Sequence, residues 1–136
     1  MLYSQVLHQR IYQDQDSEIM IIGSGLSDLG AFLYEQGFHY VTNIDVSSVA
    51  IKYMSEKHSK FSDMEYAQMD ICESSSTPDE SFNLVIDKGT LDSLACCEED
   101  QKKAEKMLIN VYKMLSPSGS FVCVSRGSPE TRLGYL

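Results

Sequence analysis

The feature that most constrains this chain is an alternation: short runs rich in β-branched residues, each halted by a glycine, aspartate or serine, with stretches of helical spacing between them. Ile19-Met20-Ile21-Ile22 stops at Gly23, and Tyr40-Val41-Thr42-Asn43-Ile44 stops at Asp45. Glu65 to Met69 stops at Asp70, Phe82-Asn83-Leu84-Val85-Ile86 at Asp87, and Ser120 to Val124 at Ser125. These runs predict five strands. Ser27 is placed to cap a helix through Gln36, with Gly37 as its stop, and Ser47 to cap a second carrying Val49, Ala50, Tyr53 and Met54 at helical spacing. A third helix is expected from about Glu98 to Leu115, on the stripe Ala104, Met107, Leu108, Val111, Tyr112 and Leu115, and Ser116-Pro117-Ser118-Gly119 should end it. Leu2–Gln13, with Leu2, Val6, Leu7 and Ile11 on one side, reads as an opening helix, and Glu73–Glu80 as a polar loop. The methionines and tyrosines of these stripes read as core.

Strand and helix in alternation mean an α/β fold: a doubly wound, mainly parallel sheet with right-handed crossovers and helices on both faces. At 136 residues the chain fits a single domain, 1–136. Ligands of such sheets sit beyond the carboxyl ends of the strands, where strand order reverses. Four of the five runs end in glycine or aspartate, so the polar chemistry gathers along that edge.

After the first run comes Gly23-Ser24-Gly25-Leu26-Ser27-Asp28. Its glycines permit a tight turn and a close approach of the backbone to a ligand, although a plain strand-to-helix connector would use them too. Asp45, twenty residues beyond Gly25 at the next strand's end, strengthens the ligand reading. A carboxylate there can accept hydrogen bonds from both hydroxyls of a ribose, or simply precede the Ser47 cap. A dinucleotide fold would place a third glycine where Asp28 stands, and that charge would repel a pyrophosphate at the helix start. Ribose and adenine without phosphate suit the loop better, as in S-adenosylmethionine, whose sulfonium is positive. Asp70 follows as the carboxylate for the adenine amino group, with Met69 and Ile71 among the apolar neighbours of the ring; an ordinary loop aspartate is the alternative. With strands ordered 3-2-1-4-5, Asp87 and Lys88 would face the glycine loop and flank the reacting end of the ligand, unless Lys88 pairs with Asp92.

Eleven basic against twenty acidic residues give a formal charge of −9. This disfavours non-specific binding to nucleic acid or anionic lipid and favours a basic partner. No apolar run approaches the ~18 residues of a membrane span. The start of the chain does not read as a secretory signal, and the four cysteines are too irregularly spaced for a disulfide framework. Reduced thiols and a cytoplasmic location are expected. His8, His39 and His58 form no metal or triad pattern and read as surface or loop residues, and no metal is expected.

Asp87-Lys88-Gly89-Thr90-Leu91-Asp92-Ser93-Leu94 resembles the signature of a eukaryotic group of class I S-adenosylmethionine-dependent methyltransferases that includes lysine methyltransferases of translation elongation factor 1-alpha. Ile21-Ile22-Gly23-Ser24-Gly25 resembles the group's cofactor loop, Asn43-Ile44-Asp45-Val46-Ser47 its acidic turn and Met69-Asp70 its adenine segment. Leu115 to Phe121 is similar to its turn into the fifth strand, so the likeness runs from Glu18 to Leu136. Ser24 stands where the group often has cysteine, and Ile21 and Ile22 stand where a carboxylate often precedes the loop. The resemblance implies a Rossmann-like class I methyltransferase domain without the sixth and seventh strands, shortened at one or both ends. It implies S-adenosylmethionine bound by Gly23, Ser24, Gly25, Asp45, Val46, Met69, Asp70, Ile71, Asp87 and Lys88. It also implies methyl transfer to a protein lysine, with elongation factor 1-alpha as a candidate substrate and Asp87 orienting the amine. The Asn/Asp-Pro-Pro-aromatic motif of transfer to planar nitrogens is absent, which argues against nucleic acid. A binding protein that keeps the fold without catalysis, and a small-molecule methyltransferase, are the alternatives. A nicotinamide oxidoreductase would use Tyr53 and Lys57 of a Tyr-x-x-x-Lys pattern, but these fall on the helix after the second strand, away from the reversal.

Overall fold

The computed structural model describes residues 14–73, 79–96 and 101–135. The expected opening helix, His8 and Cys97 lie outside them. The elements run β1 (Ile19–Ile22), α1 (Leu29–Glu35), β2 (Val41–Asp45), α2 (Ser48–Lys57), β3 (Glu65–Gln68), β4 (Phe82–Lys88), α3 (Thr90–Ala95), α4 (Gln101–Met114), β5 (Leu115–Val124) and α5 (Pro129–Leu133). The five strands form one sheet in the order β3-β2-β1-β4-β5, with every pairing parallel. The predicted fold class and strand order are therefore those observed. The order reverses between β1 and β4, whose tips, Ile22 and Asp87, lie in register.

Alternation along the central strands divides the core into two layers. Met20, Ile22, Ile44 and Val85 pack on one face with Leu91 of α3 and Ala104, Met107, Val111 and Met114 of α4. Ile19, Ile21, Val41, Leu84 and Ile86 pack on the other with Ala31 and Leu33 of α1, Phe38 and Met64. β1 is buried along its whole length, as a parallel strand covered by helices on both sides should be.

Local chemistry departs from the expectations in a few places. Asp28 takes the N-cap position of α1 without a side-chain cap bond, while Ser27 Oγ accepts from the Leu29 N–H at 3.3 Å. The Ser47 cap of α2 forms as expected, accepting from the Ala50 N–H at 3.2 Å. On α2, however, Val49 and Tyr53 are exposed and only Met54 is buried, so Tyr53 is not core. On α4 the buried stripe is Ala104, Met107, Val111 and Met114, and Tyr112 points to solvent at 81 % exposure. The Ser116–Gly119 turn is absorbed into β5, which starts at Leu115 directly after α4. The register of β4 and β5 shifts there, between Phe82 and Leu84. Gly119 is required at that irregularity, because a Cβ would lie 2.8 Å from the Phe82 carbonyl oxygen. α5 was not anticipated, although Ser128-Pro129 is a helix-start signal and Ser128 Oγ accepts from the Thr131 N–H at 3.4 Å. Among the described residues no helix is long and apolar enough to cross a membrane, and no His/Cys/Asp/Glu group could hold a metal.

Candidate functional site

Beyond the carboxyl ends of the strands lies a cleft of about 370 Å³. Its lining comes from the tips of four strands and from α3: Gly23 after β1; Ile44, Asp45 and Val46 at β2; Met69, Asp70, Ile71 and Cys72 after β3; Lys88, Gly89, Thr90, Ser93 and Leu94 at β4 and α3. Seven of the expected site residues thus meet in one place: Gly23, Asp45, Val46, Met69, Asp70, Ile71 and Lys88.

Asp45 is the best-held polar group of the cleft. Its Oδ2 accepts from the Gly25 N–H at 2.8 Å and its Oδ1 from the Ser47 N–H at 2.8 Å. Two amides fix the carboxylate plane, and each oxygen keeps a lone pair for a further donor. Gly25 adopts φ +49, and a Cβ there would come no closer than 4.0 Å to Asp45, so the glycine serves the turn. Gly23, at φ +59, is a packing requirement as well, since its Cβ would fall 1.8 Å from Thr90 Oγ1. Asp70 is exposed, and its Oδ1 accepts from the Cys72 N–H at 2.9 Å. Burial, with the Asp70 charge beside it, pushes the Cys72 thiol up to about 11, so that thiol is neutral. Met69, Ile71 and Leu94 supply apolar wall.

Ser24 and Gly25 are not in the lining. Ser24 is 4 % exposed, its N–H donates to the Ile44 carbonyl at 2.9 Å, and its Oγ has no partner among the described residues. Gly25 acts through Asp45.

Asp87 requires a correction. It is fully buried, and both carboxylate oxygens turn to the start of α3, accepting from the Thr90 N–H at 2.8 Å and the Leu91 N–H at 3.1 Å. The Cys123 thiol donates to it as well, at 3.4 Å. Burial, then the Asp87 charge, pushes that thiol up to about 12. Asp87 shares the face of Val85 on β4, beneath α3, so strand alternation sends its side chain into the core. An incoming amine does not reach it there.

Lys88 is exposed and lines the cleft, but the alternative pairing with Asp92 does not form. Asp92 Oδ1 binds Arg132 Nη2 at 2.9 Å and the Ser125 hydroxyl, and its Oδ2 accepts from the Arg126 N–H at 2.8 Å. The Ser125 hydroxyl, the Arg126 amide and Arg132 hold the Asp92 carboxyl below its ordinary range. This network ties α3 to the segment after β5.

The histidine reading changes too. His58 is buried at 9 % exposure, its Nε2 lies 2.9 Å from Asp28 Oδ1, and its ring is stacked against Phe61 and Tyr66. Lys57 Nζ, 2.6 Å from the same oxygen, is the main reason the Asp28 carboxyl lies below its ordinary value. Neither Tyr53 nor Lys57 lines the cleft, which removes the geometry of the oxidoreductase reading. Sequence reasoning missed Ile44, Cys72, Gly89, Thr90, Ser93 and Leu94 as lining. The last two sit three and four residues beyond Thr90 on α3, so helical spacing was the available signal.

The arrangement fits an adenosine-bearing ligand. Asp45 offers acceptors for a sugar diol, apolar walls beside Asp70 suit a purine with an exocyclic amine, and the glycine loop spends its Gly25 amide on Asp45 instead of a phosphate.

Comparison with known proteins agrees. A family model described as a methyltransferase domain matches residues 21–123. The chain is 36% identical over 123 residues to the bovine (Bos taurus) eEF1A lysine and N-terminal methyltransferase, a match covering 88% of this chain and 17% of that protein. Among solved structures, an S-adenosylmethionine-dependent methyltransferase from Methanosarcina mazei superposes with TM-score 0.75 at 25% identity, covering 96% of this chain and 61% of the other. A TehB-like methyltransferase from Corynebacterium glutamicum shares the fold with TM-score 0.73 at 20% identity, covering 99% of this chain and 71% of the other.

Proposed function

The chain belongs to the class I S-adenosylmethionine-dependent methyltransferase family, and on that premise we propose that it transfers a methyl group to a lysine side chain of a basic protein segment. Translation elongation factor 1-alpha, named in the relatives' activity, is the candidate substrate, and the cytoplasm the compartment. The observation that carries the reading is Asp45, clamped by the Gly25 and Ser47 amides at the tip of β2 with its carboxylate on the cleft.

S-adenosylmethionine, when bound, supplies a methyl carbon already activated by its sulfonium. The protein's work is therefore positioning. With the cofactor bound, Asp45 would accept hydrogen bonds from the ribose hydroxyls, and Met69, Ile71 and Leu94 would enclose the adenine beside Asp70. Gly23 brings β1 against Thr90 and so joins the two halves of the cleft at the strand reversal. Asp87 is a positioning residue: it ties the first turn of α3 to β4 and thereby holds Thr90, Ser93 and Leu94 in the wall. A lysine amine must shed its proton before attack, and its ordinary pKa of about 10.4 falls when the cation is drawn out of water. The net charge of −9 supports capture of a basic segment.

Calorimetric titration with S-adenosylhomocysteine, followed by tritiated-methyl transfer into a cell extract, tests the reading. Binding, together with label on a lysine of the elongation factor, is expected. Failure to bind the nucleoside overturns the cofactor assignment, and label on a nucleic acid or small molecule overturns the substrate.

A further inference from the structure

We propose that the Lys88 ammonium anchors the carboxylate of the cofactor's amino-acid tail, an inference that rests on the cofactor reading above. Lys88 closes β4 beside the strand reversal and is the single cation among the described residues lining the cleft. Asp45 and Asp70 stand toward the opposite side, at the tips of β2 and β3. The cleft thus carries negative charge at one end and positive charge at the other. A ligand with hydroxyls and an amine at one end and a carboxylate at the other has one favourable direction in it.

Several competing donors are already engaged. In the glycine loop, the Ser24 N–H donates to the Ile44 carbonyl, the Gly25 N–H to Asp45 and the Ser27 N–H to the Ser24 carbonyl. At the start of α3, the Thr90 and Leu91 N–H groups both donate to Asp87, whose buried charge also opposes any second anion there. These five amides are therefore not the ones to cradle a carboxylate. Lys88 is the reverse case: Asp92 is engaged by Ser125, Arg126 and Arg132, and no ion pair to Lys88 forms among the described residues. A flexible ammonium on the cleft wall is suited to a single carboxylate.

The test compares S-adenosylhomocysteine with its decarboxylated analogue, by calorimetry on the wild-type chain and on Lys88→Gln and Lys88→Arg. Lys88 is exposed, so these variants should keep the wild-type melting temperature. The wild type should prefer the carboxylate-bearing ligand about tenfold. Lys88→Gln should lose that preference by weakening S-adenosylhomocysteine alone, and Lys88→Arg should keep most of it. If Lys88→Gln retains the full preference, or the wild type binds both ligands equally, the anchor is overturned while the cofactor reading stands. If the wild type binds neither ligand, the cofactor reading itself falls and takes this one with it.

Discussion

Two aspartates close neighbouring parts of the same sheet edge, and the fold uses them in opposite ways. Asp45 ends β2 and Asp87 lies one residue from the end of β4, so both satisfy the same strand-end pattern. Asp45 stays on the cleft, held by an amide from the glycine loop and one from its own turn. Asp87 is wholly buried and spends its charge on the start of α3. The difference comes from parity and from the length of the connection. Asp87 falls on the core-facing side of β4 with Val85, and α3 starts at Thr90, after a Gly89 held at φ +87. The nearest donors are therefore helix amides. After Asp45 the chain runs through Val46 and Ser47, and Ser47 caps α2 itself, which leaves the carboxylate free to serve the cleft. Of these two carboxylates, the one that faces the cleft is the one whose following helix has a cap of its own.

The strongest way to break this contrast is Asp87→Ala. Two helix amides and a thiol lose their acceptor in the core, so unfolding by urea should show a loss of about 3 kcal/mol. Asp87→Asn should recover part of it. If Asp87→Ala instead left stability untouched and abolished methyl transfer, the positioning role would be wrong and direct contact with the amine restored. Asp45→Ala should act on the ligand: calorimetry should show S-adenosylhomocysteine binding weakened about 50-fold, ~2.3 kcal/mol, with a smaller loss of stability from the two orphaned amides.

The acid limb of the stability curve sharpens the comparison further. Asp92's carboxyl is held below its ordinary value by Ser125, the Arg126 amide and Arg132, so its contribution is fully present above the unfolded pKa of about 4. It disappears as pH falls through the lower folded value. Asp92→Asn should flatten the loss of stability below pH ~4 in acid titrations followed by circular dichroism. The smallest effect is at the thiols. Exposed Cys96 should be alkylated readily at pH 8, whereas Cys123, at about 12, should resist. Replacing Asp87 by Asn should speed Cys123 labelling, because one of its two main causes of elevation is removed; an unchanged rate would show that burial alone controls it.

Much of this was readable in one dimension. The runs ending at Gly23, Asp45, Asp70 and Asp87 carried the strands, and the cap at Ser47 carried the start of α2. Seven of the ten expected site residues line one cleft because strand ends in a parallel sheet share an edge. Tyr53 and Tyr112 misled because helical spacing says which residues share a face, not which face the sheet covers. His58 and Asp28 lie thirty residues apart, and no local pattern announces their contact.

The strand segments, the edge that gathers the polar residues and the acidic turn were determined by hydrophobic period and by where glycine and aspartate interrupt it, since both act within a few residues of chain; the strand order came with the family resemblance and is the one observed. Which carboxylate faces a ligand, which one seals a helix, and that Arg132 rather than Lys88 answers Asp92 were decided only on packing. Burial and hydrogen-bond competition depend on neighbours brought in from distant segments, and a charged group is assigned its role by whichever donors reach it first.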